Sequence, residues 1–109
     1  DGLAHRMANA GFPVVVCNVP NLYFDLSYNP DVNEPGLTWG GFVGNRQPFA
    51  LIPENLFTSE SFLPTPANAG KKELLTQQGL QHILGIQAEL WGETIRGPEA
   101  LEYMMLPKL

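Results

Sequence analysis

Residues 12–19 read FPVVVCNV, and the fold turns on that stretch. It is short, rich in β-branched residues and continuously apolar, the pattern of a strand buried on both faces, as in a parallel sheet. Pro20 ends it. Upstream, Asp1 to Ala10 reads as the end of a helix, with Leu3, Met7 and Ala10 at helical spacing and Gly11 as its stop. Downstream, Ile83 to Trp91 (ILGIQAELW) is a second strand. Alternation places Ile86, Ala88 and Leu90 on one face and Gln87, Glu89 and Trp91 on the other, with Glu93 continuing the second set. Gly97-Pro98-Glu99 then opens a final helix, with Pro98 in its first turn and Leu101, Met104 and Met105 as its buried stripe.

Between the strands, Asn21 to about Lys72 is irregular. Pro30, Pro35, Pro48, Pro53, Pro64 and Pro66 exclude long helices and central strands there. Tyr23, Phe24, Tyr28, Trp39, Phe42, Phe49, Phe57 and Phe62 mark it as an ordered loop and not a linker. Long ordered loops in compact domains are usually functional. Short helices are expected at Pro53 to Phe57 and within Glu73 to His82, the latter weakened by Gly79. The order helix, strand, long loop, strand, helix is an α/β order with parallel strands joined by a crossover. Two strands make no sheet of their own, and a (β/α)8 TIM barrel takes about 250 residues. The expected fold is therefore a fragment of such a barrel, its last strands and helices, carrying a long irregular loop.

The 109 residues suffice for one small domain, and 44% are hydrophobic, which excludes disorder. The net charge of −5, without any run of Lys or Arg, excludes the electrostatic footprint of a nucleic-acid binder. The single cysteine, Cys17, is read as a buried small hydrophobe. His5 and His82 lack metal spacing and are read as surface or loop residues; no metal and no cofactor is expected. No 18-residue apolar run exists, so no membrane span is expected. The chain begins at Asp1 and not at Met, as an excised piece would, so a missing signal peptide carries little weight.

Active sites of such barrels lie at the C-terminal ends of the strands. The first strand leads into Asn21-Leu22-Tyr23-Phe24-Asp25 and the second into Leu90-Trp91-Gly92-Glu93-Thr94. Each sets a carboxylate two residues after an aromatic ring. A ring can cover the apolar face of a pyranose while a carboxylate accepts from its hydroxyls, each such charged bond contributing about 1.5–3 kcal/mol. Spacing alone favours the plainer reading, with Trp91 in the core and Asp25 and Glu93 solvated or capping loops.

The segments NLYFDLSYNPDVNEPGLTWGGFV and GIQAELWGETIRGPEALEYMMLPKL (residues 21–43 and 85–109) closely resemble the C-terminal barrel strands of family 20 glycoside hydrolases, the β-N-acetylhexosaminidases and chitobiases, bacterial members above all. The resemblance covers most of the chain and is weakest between Thr58 and His82. It implies that residues 1–109 are the C-terminal portion of the catalytic barrel of an exo-acting enzyme. Such an enzyme removes terminal β-linked GlcNAc or GalNAc with retention, the 2-acetamido oxygen of the sugar serving as nucleophile. Carried over by position, Tyr23 is the tyrosine whose hydroxyl bonds the acetamido oxygen and stabilises the oxazolinium. Asp25 lies near the O4/O6 side of the sugar, Trp91 lines the pocket, Glu93 accepts from O4 and O6, and Trp39 stacks on the next sugar.

The family's catalytic Asp-Glu pair belongs to an earlier strand, and no Asp-Glu dipeptide occurs here. The chain alone is expected to be inactive. Its implied partners are the terminal N-acetylhexosamine of chitooligosaccharides or glycans and the rest of the parent barrel. The implied location is bacterial: periplasmic, outer-membrane-anchored or secreted. Two alternatives stay open, a non-catalytic carbohydrate-binding module using Trp39 and Trp91, and a fragment that self-associates to cover its strand edges.

Overall fold

The computed structural model describes residues 2–58 and 73–109. The chain divides into two compact units, Asp1–Val16 with Leu51–Gln87, and Cys17–Ala50 with Ala88–Leu109. The part of the expected long loop from 59 to 72 lies outside the described residues.

In the first unit, helix α1 (Leu3–Asn9) begins after Gly2 and stops before Gly11, whose φ of 91° no other residue adopts readily. The expected face of α1 is wrong. Leu3 and Met7 are exposed, and the helix buries His5 and Ala8 instead. His5, read from sequence as a surface group, is fully buried. Its Nδ1 lies 2.9 Å from the Glu73 carbonyl oxygen and its Nε2 3.3 Å from that of Pro53. Its ring meets Phe57 edge-on at 5.4 Å. A ring N–H donating to a carbonyl distant in sequence offsets part of the cost of burying this polar ring.

Helix α1 also holds the short helix α4 (Gln77–Leu80), the remnant of the helix expected over Glu73 to His82. The Asn9 side chain accepts from the Thr76 backbone N–H at 2.8 Å and donates to the Leu74 carbonyl at 2.9 Å. Thr76 caps α4, its hydroxyl oxygen accepting from the Gly79 N–H at 2.9 Å. Gly79 is less a weakness than a fit: a Cβ there would collide with the Asn9 side chain. The helix expected at Pro53 to Phe57 is a turn followed by one 3-10 turn, Leu56–Thr58.

Strands β1 (Val14–Val16) and β2 (Ile83–Ile86) pair in parallel, as expected, with Val14 opposite Ile83 and Val16 opposite Ile86. Both are shorter than the sequence suggests, and neither is buried on both faces. Val15 is 50% and Leu84 67% exposed. Among the described residues the sheet has two strands, so each has a ladder there on one edge only. Pro13 has no N–H to extend β1, and by Val19 the chain has turned into helix α2 (Val19–Leu22).

The second unit holds α2 (Val19–Leu22), α3 (Arg46–Phe49) and α5 (Pro98–Met105). Asn21 is buried and donates from Nδ2 to the Gln47 carbonyl at 2.6 Å, tying α2 to α3. Phe24, Leu26 and Val43 form the core, with Leu37, Leu90 and Met105 packed on it. Of the expected alternation only its last step holds, Leu90 turning inward and Trp91 outward; Ile86 and Ala88, expected on the same face as Leu90, are exposed. On α5, Met104 is buried but Leu101 is largely exposed, so the stripe is narrower than expected. Gly36, at φ 114°, lets the next turn close, because a Cβ would sit 2.8 Å from the Met104 Cε and from the Ser27 nitrogen.

Candidate functional site

All five residues singled out in the sequence belong to the second unit. The segment from Tyr23 to Ser27 is held along both edges. On one edge, Glu89 donates its N–H to the Leu22 carbonyl (2.8 Å) and accepts from the Phe24 N–H (2.7 Å), which makes a parallel bridge between Tyr23 and Glu89. On the other, the Leu37 N–H donates to the Asp25 carbonyl and the Ser27 N–H to the Leu37 carbonyl, each at 2.8 Å. Between the two edges the chain turns, the Leu26 N–H donating to the Tyr23 carbonyl at 3.2 Å, so that Phe24 and Asp25 lie in the turn.

Tyr23 is half-buried, and its ring stands edge-to-face against Trp39 at 5.8 Å and 81°. Trp39 is itself 65% exposed. Such an edge-to-face pair is worth about 0.5–1.5 kcal/mol beyond the area it buries. Trp91 is half-exposed and Glu93 exposed, which corrects the plainer reading of Trp91 as a core residue.

Asp25 differs from all of these. It is 1% exposed, and neither carboxylate oxygen has a hydrogen-bond partner. Burial pushes its pKa up, and the nearby charge of Glu93 pushes it the same way; the amides of Asp25 itself and of Trp91, and the charge of Lys108, oppose that. The structure therefore sets Asp25 beside Trp91 and Glu93, and Tyr23 beside Trp39. A buried carboxylate with open lone pairs, among exposed aromatic rings, can accept from the hydroxyls of a neutral polar ligand.

Two features have no signal in the sequence. Lys108 is 3% exposed and donates to the carbonyls of Phe24 (2.8 Å) and Leu26 (2.7 Å). Its ammonium also lies 4.0 Å from the centre of the Tyr28 ring. Cys17, read as an inert hydrophobe, is only partly buried, and its thiol donates to Glu89 at 3.5 Å. Burial, that bond and the Glu89 charge push the thiol up to about 11, so it stays protonated at neutral pH. Among the described residues, no group of three or more His, Cys, Asp or Glu could hold a metal, and no helix is long and apolar enough to cross a membrane.

The sequence matches the family model "Glycosyl hydrolase family 20, catalytic domain" over residues 1–109. The chain belongs to glycosyl hydrolase family 20. It is 35% identical over 106 residues to a β-hexosaminidase of Vibrio vulnificus, covering 96% of this chain and 12% of that protein. It is 30% identical over 109 residues to an N,N′-diacetylchitobiase of Vibrio harveyi, again covering 96% of this chain and 12% of the relative. The chain thus spans about an eighth of these curated family 20 relatives. Among solved structures, a family 20 exo-β-N-acetylglucosaminidase from Vibrio harveyi, an inactive mutant, superposes with a TM-score of 0.70 at 26% identity. That match covers 96% of this chain and 14% of the other. A family 20 β-N-acetylhexosaminidase from Streptomyces coelicolor A3(2) shares the fold, with a TM-score of 0.64 at 24% identity over 95% of this chain and 17% of that one.

Proposed function

We propose that this chain is the C-terminal part of a (β/α)8 catalytic barrel in a longer exo-β-N-acetylhexosaminidase, where it supplies the side of the pocket that grips the non-reducing sugar. The observation that carries this reading is Asp25. A carboxylate buried without a partner is destabilising unless something is meant to bond it, and here it lies near Trp91 and Glu93. The exposed apolar residues of β1 and β2 also support it, since flanking barrel strands would cover them.

In this reading the substrate is a terminal β-linked GlcNAc or GalNAc of a chitooligosaccharide or glycan. The sugar's 2-acetamido oxygen attacks the anomeric carbon, and the glycosidic oxygen leaves with a proton from an acid outside these 109 residues. Tyr23 donates its hydroxyl to the acetamido oxygen, holding it for attack and stabilising the oxazolinium that forms; water then opens that ring. Asp25 and Glu93 accept from the hydroxyls on the O4 and O6 side, which demands a chain end. Trp91 covers the sugar face. Trp39, buttressed by Tyr23, offers an exposed ring to the next residue of the chain. No cofactor enters this scheme.

The test is substrate choice by the full-length protein that contains this segment. It should hydrolyse p-nitrophenyl N-acetyl-β-D-glucosaminide and leave the matching β-D-glucoside, which lacks the acetamido group, intact. Equal turnover of the two sugars would remove the acetamido nucleophile and the role given to Tyr23.

A further inference from the structure

The ladder between residues 22–24 and Glu89 stops abruptly. Glu89 donates to Leu22 and accepts from Phe24. The chain turns there, Leu26 donating its N–H to the Tyr23 carbonyl at 3.2 Å, and the ladder does not go on to the Phe24 carbonyl. That carbonyl is taken instead by Lys108, whose ammonium also takes the Leu26 carbonyl. The Trp91 amide lies outside the ladder, where it lowers the pKa of the Asp25 carboxyl. The Asp25 carbonyl is bonded by Leu37. One buried side chain, from just beyond α5, thus ties the carbonyls of both neighbours of Asp25 and holds the turn that presents it.

We propose that Lys108 is a positioning residue for sugar binding: by bonding the Phe24 and Leu26 carbonyls it pins the turn that carries Asp25 and so sets Asp25 against Trp91 and Glu93. This rests on the hexosaminidase reading above. Lys108 touches no substrate and acts only through the backbone of the Tyr23–Ser27 segment. The groups facing its ammonium are the two carbonyls, the Tyr28 ring, and the charges of Asp25 and Glu34. Burial pulls its pKa down to about 8, with Asp25 and Glu34 pulling it back up. Above that pH the ammonium becomes an amine, and charge-assisted bonds become weaker neutral ones.

The experiment compares native full-length protein with Lys108→Arg and Lys108→Met, measuring kcat and KM on p-nitrophenyl N-acetyl-β-D-glucosaminide from pH 6 to 10. For Lys108→Met, KM should rise about tenfold with kcat changed much less, the size of one lost charged bond. Lys108→Arg keeps both donors and its charge, so KM should stay within about threefold of native at pH 7. Native KM should climb as pH passes about 8, and in Lys108→Arg that rise should be absent. A purely structural lysine would lower the melting temperature without splitting KM from kcat. If Lys108→Met fails to fold, the pH profile of Lys108→Arg still decides. An alkaline rise in KM unchanged by the Arg substitution overturns the proposal, as does native KM in folded Lys108→Met. Failure of native protein to hydrolyse the substrate at all overturns the hexosaminidase reading itself.

Discussion

A charged carboxylate at 1% exposure with no hydrogen-bond partner works against the folded state. The pKa of Asp25 is raised in the fold above its ordinary 3.8, so the native protein takes up a proton at a pH where the unfolded chain does not. Stability contributed by this group therefore falls as pH rises from about 4 through the raised value. Asp25→Asn, similar in shape but uncharged, should melt higher than native protein at pH 7, with the gain vanishing below about pH 4. The same variant should bind the sugar more weakly. A lower melting temperature at pH 7 would mean that Asp25 has a stabilising partner. Legibility at this scale is uneven. Trp91 and Leu90 were separable because a strand alternates with period two. Lys108 and His5 were not, because their partners are backbone carbonyls, which every residue has and no sequence pattern marks.

The α1–α4 contact shows why the sequence marks these two helices but not their faces or lengths, while α2 and α3 lie where it marks a strand end and an irregular loop. Apolar spacing favoured Leu3 and Met7, but Asn9 and His5 make the bonds that orient the helix. Gly79 reads as a helix weakness in sequence and proves to be the space that Asn9 fills. Gly79→Ala should therefore destabilise by about 1–3 kcal/mol, the usual cost of overpacking, despite the better helix propensity of Ala. Asn9→Ala should remove most of that penalty, because the clash is with the Asn9 side chain. A double-mutant cycle by urea denaturation measures the coupling. Additive effects would show that the two residues do not press on each other. The strands were legible as elements from their β-branched runs, but their ends were not, since Pro13 and the turn into α2 cut β1 short.

At the scale of the molecule, Val15, Leu84 and Ile86 are the counterpart of the unpartnered carboxylate: apolar surface on the strands without a cover. A run read from sequence as buried on both faces is half-exposed in 109 residues, and a complete barrel would resolve the conflict. Expressed alone, these residues should associate, and their sedimentation coefficient should climb with concentration in the micromolar range; a concentration-independent monomer would show that the strand faces need no partner. The family was legible because its motifs lie in short contiguous segments around Tyr23 and Trp91, whereas the pairing of Tyr23 with Trp39 required the fold.

The central claim is that this segment delivers the tyrosine that holds the acetamido oxygen during bond cleavage. Steady-state hydrolysis of p-nitrophenyl N-acetyl-β-D-glucosaminide by the full-length protein, native against Tyr23→Phe, tests it most directly. The expected result is a fall in kcat of about 10²–10³, the loss that follows removal of one transition-state donor. A kcat within about threefold of native, where a lost donor should cost far more, would contradict the role of Tyr23 and the reading built around it.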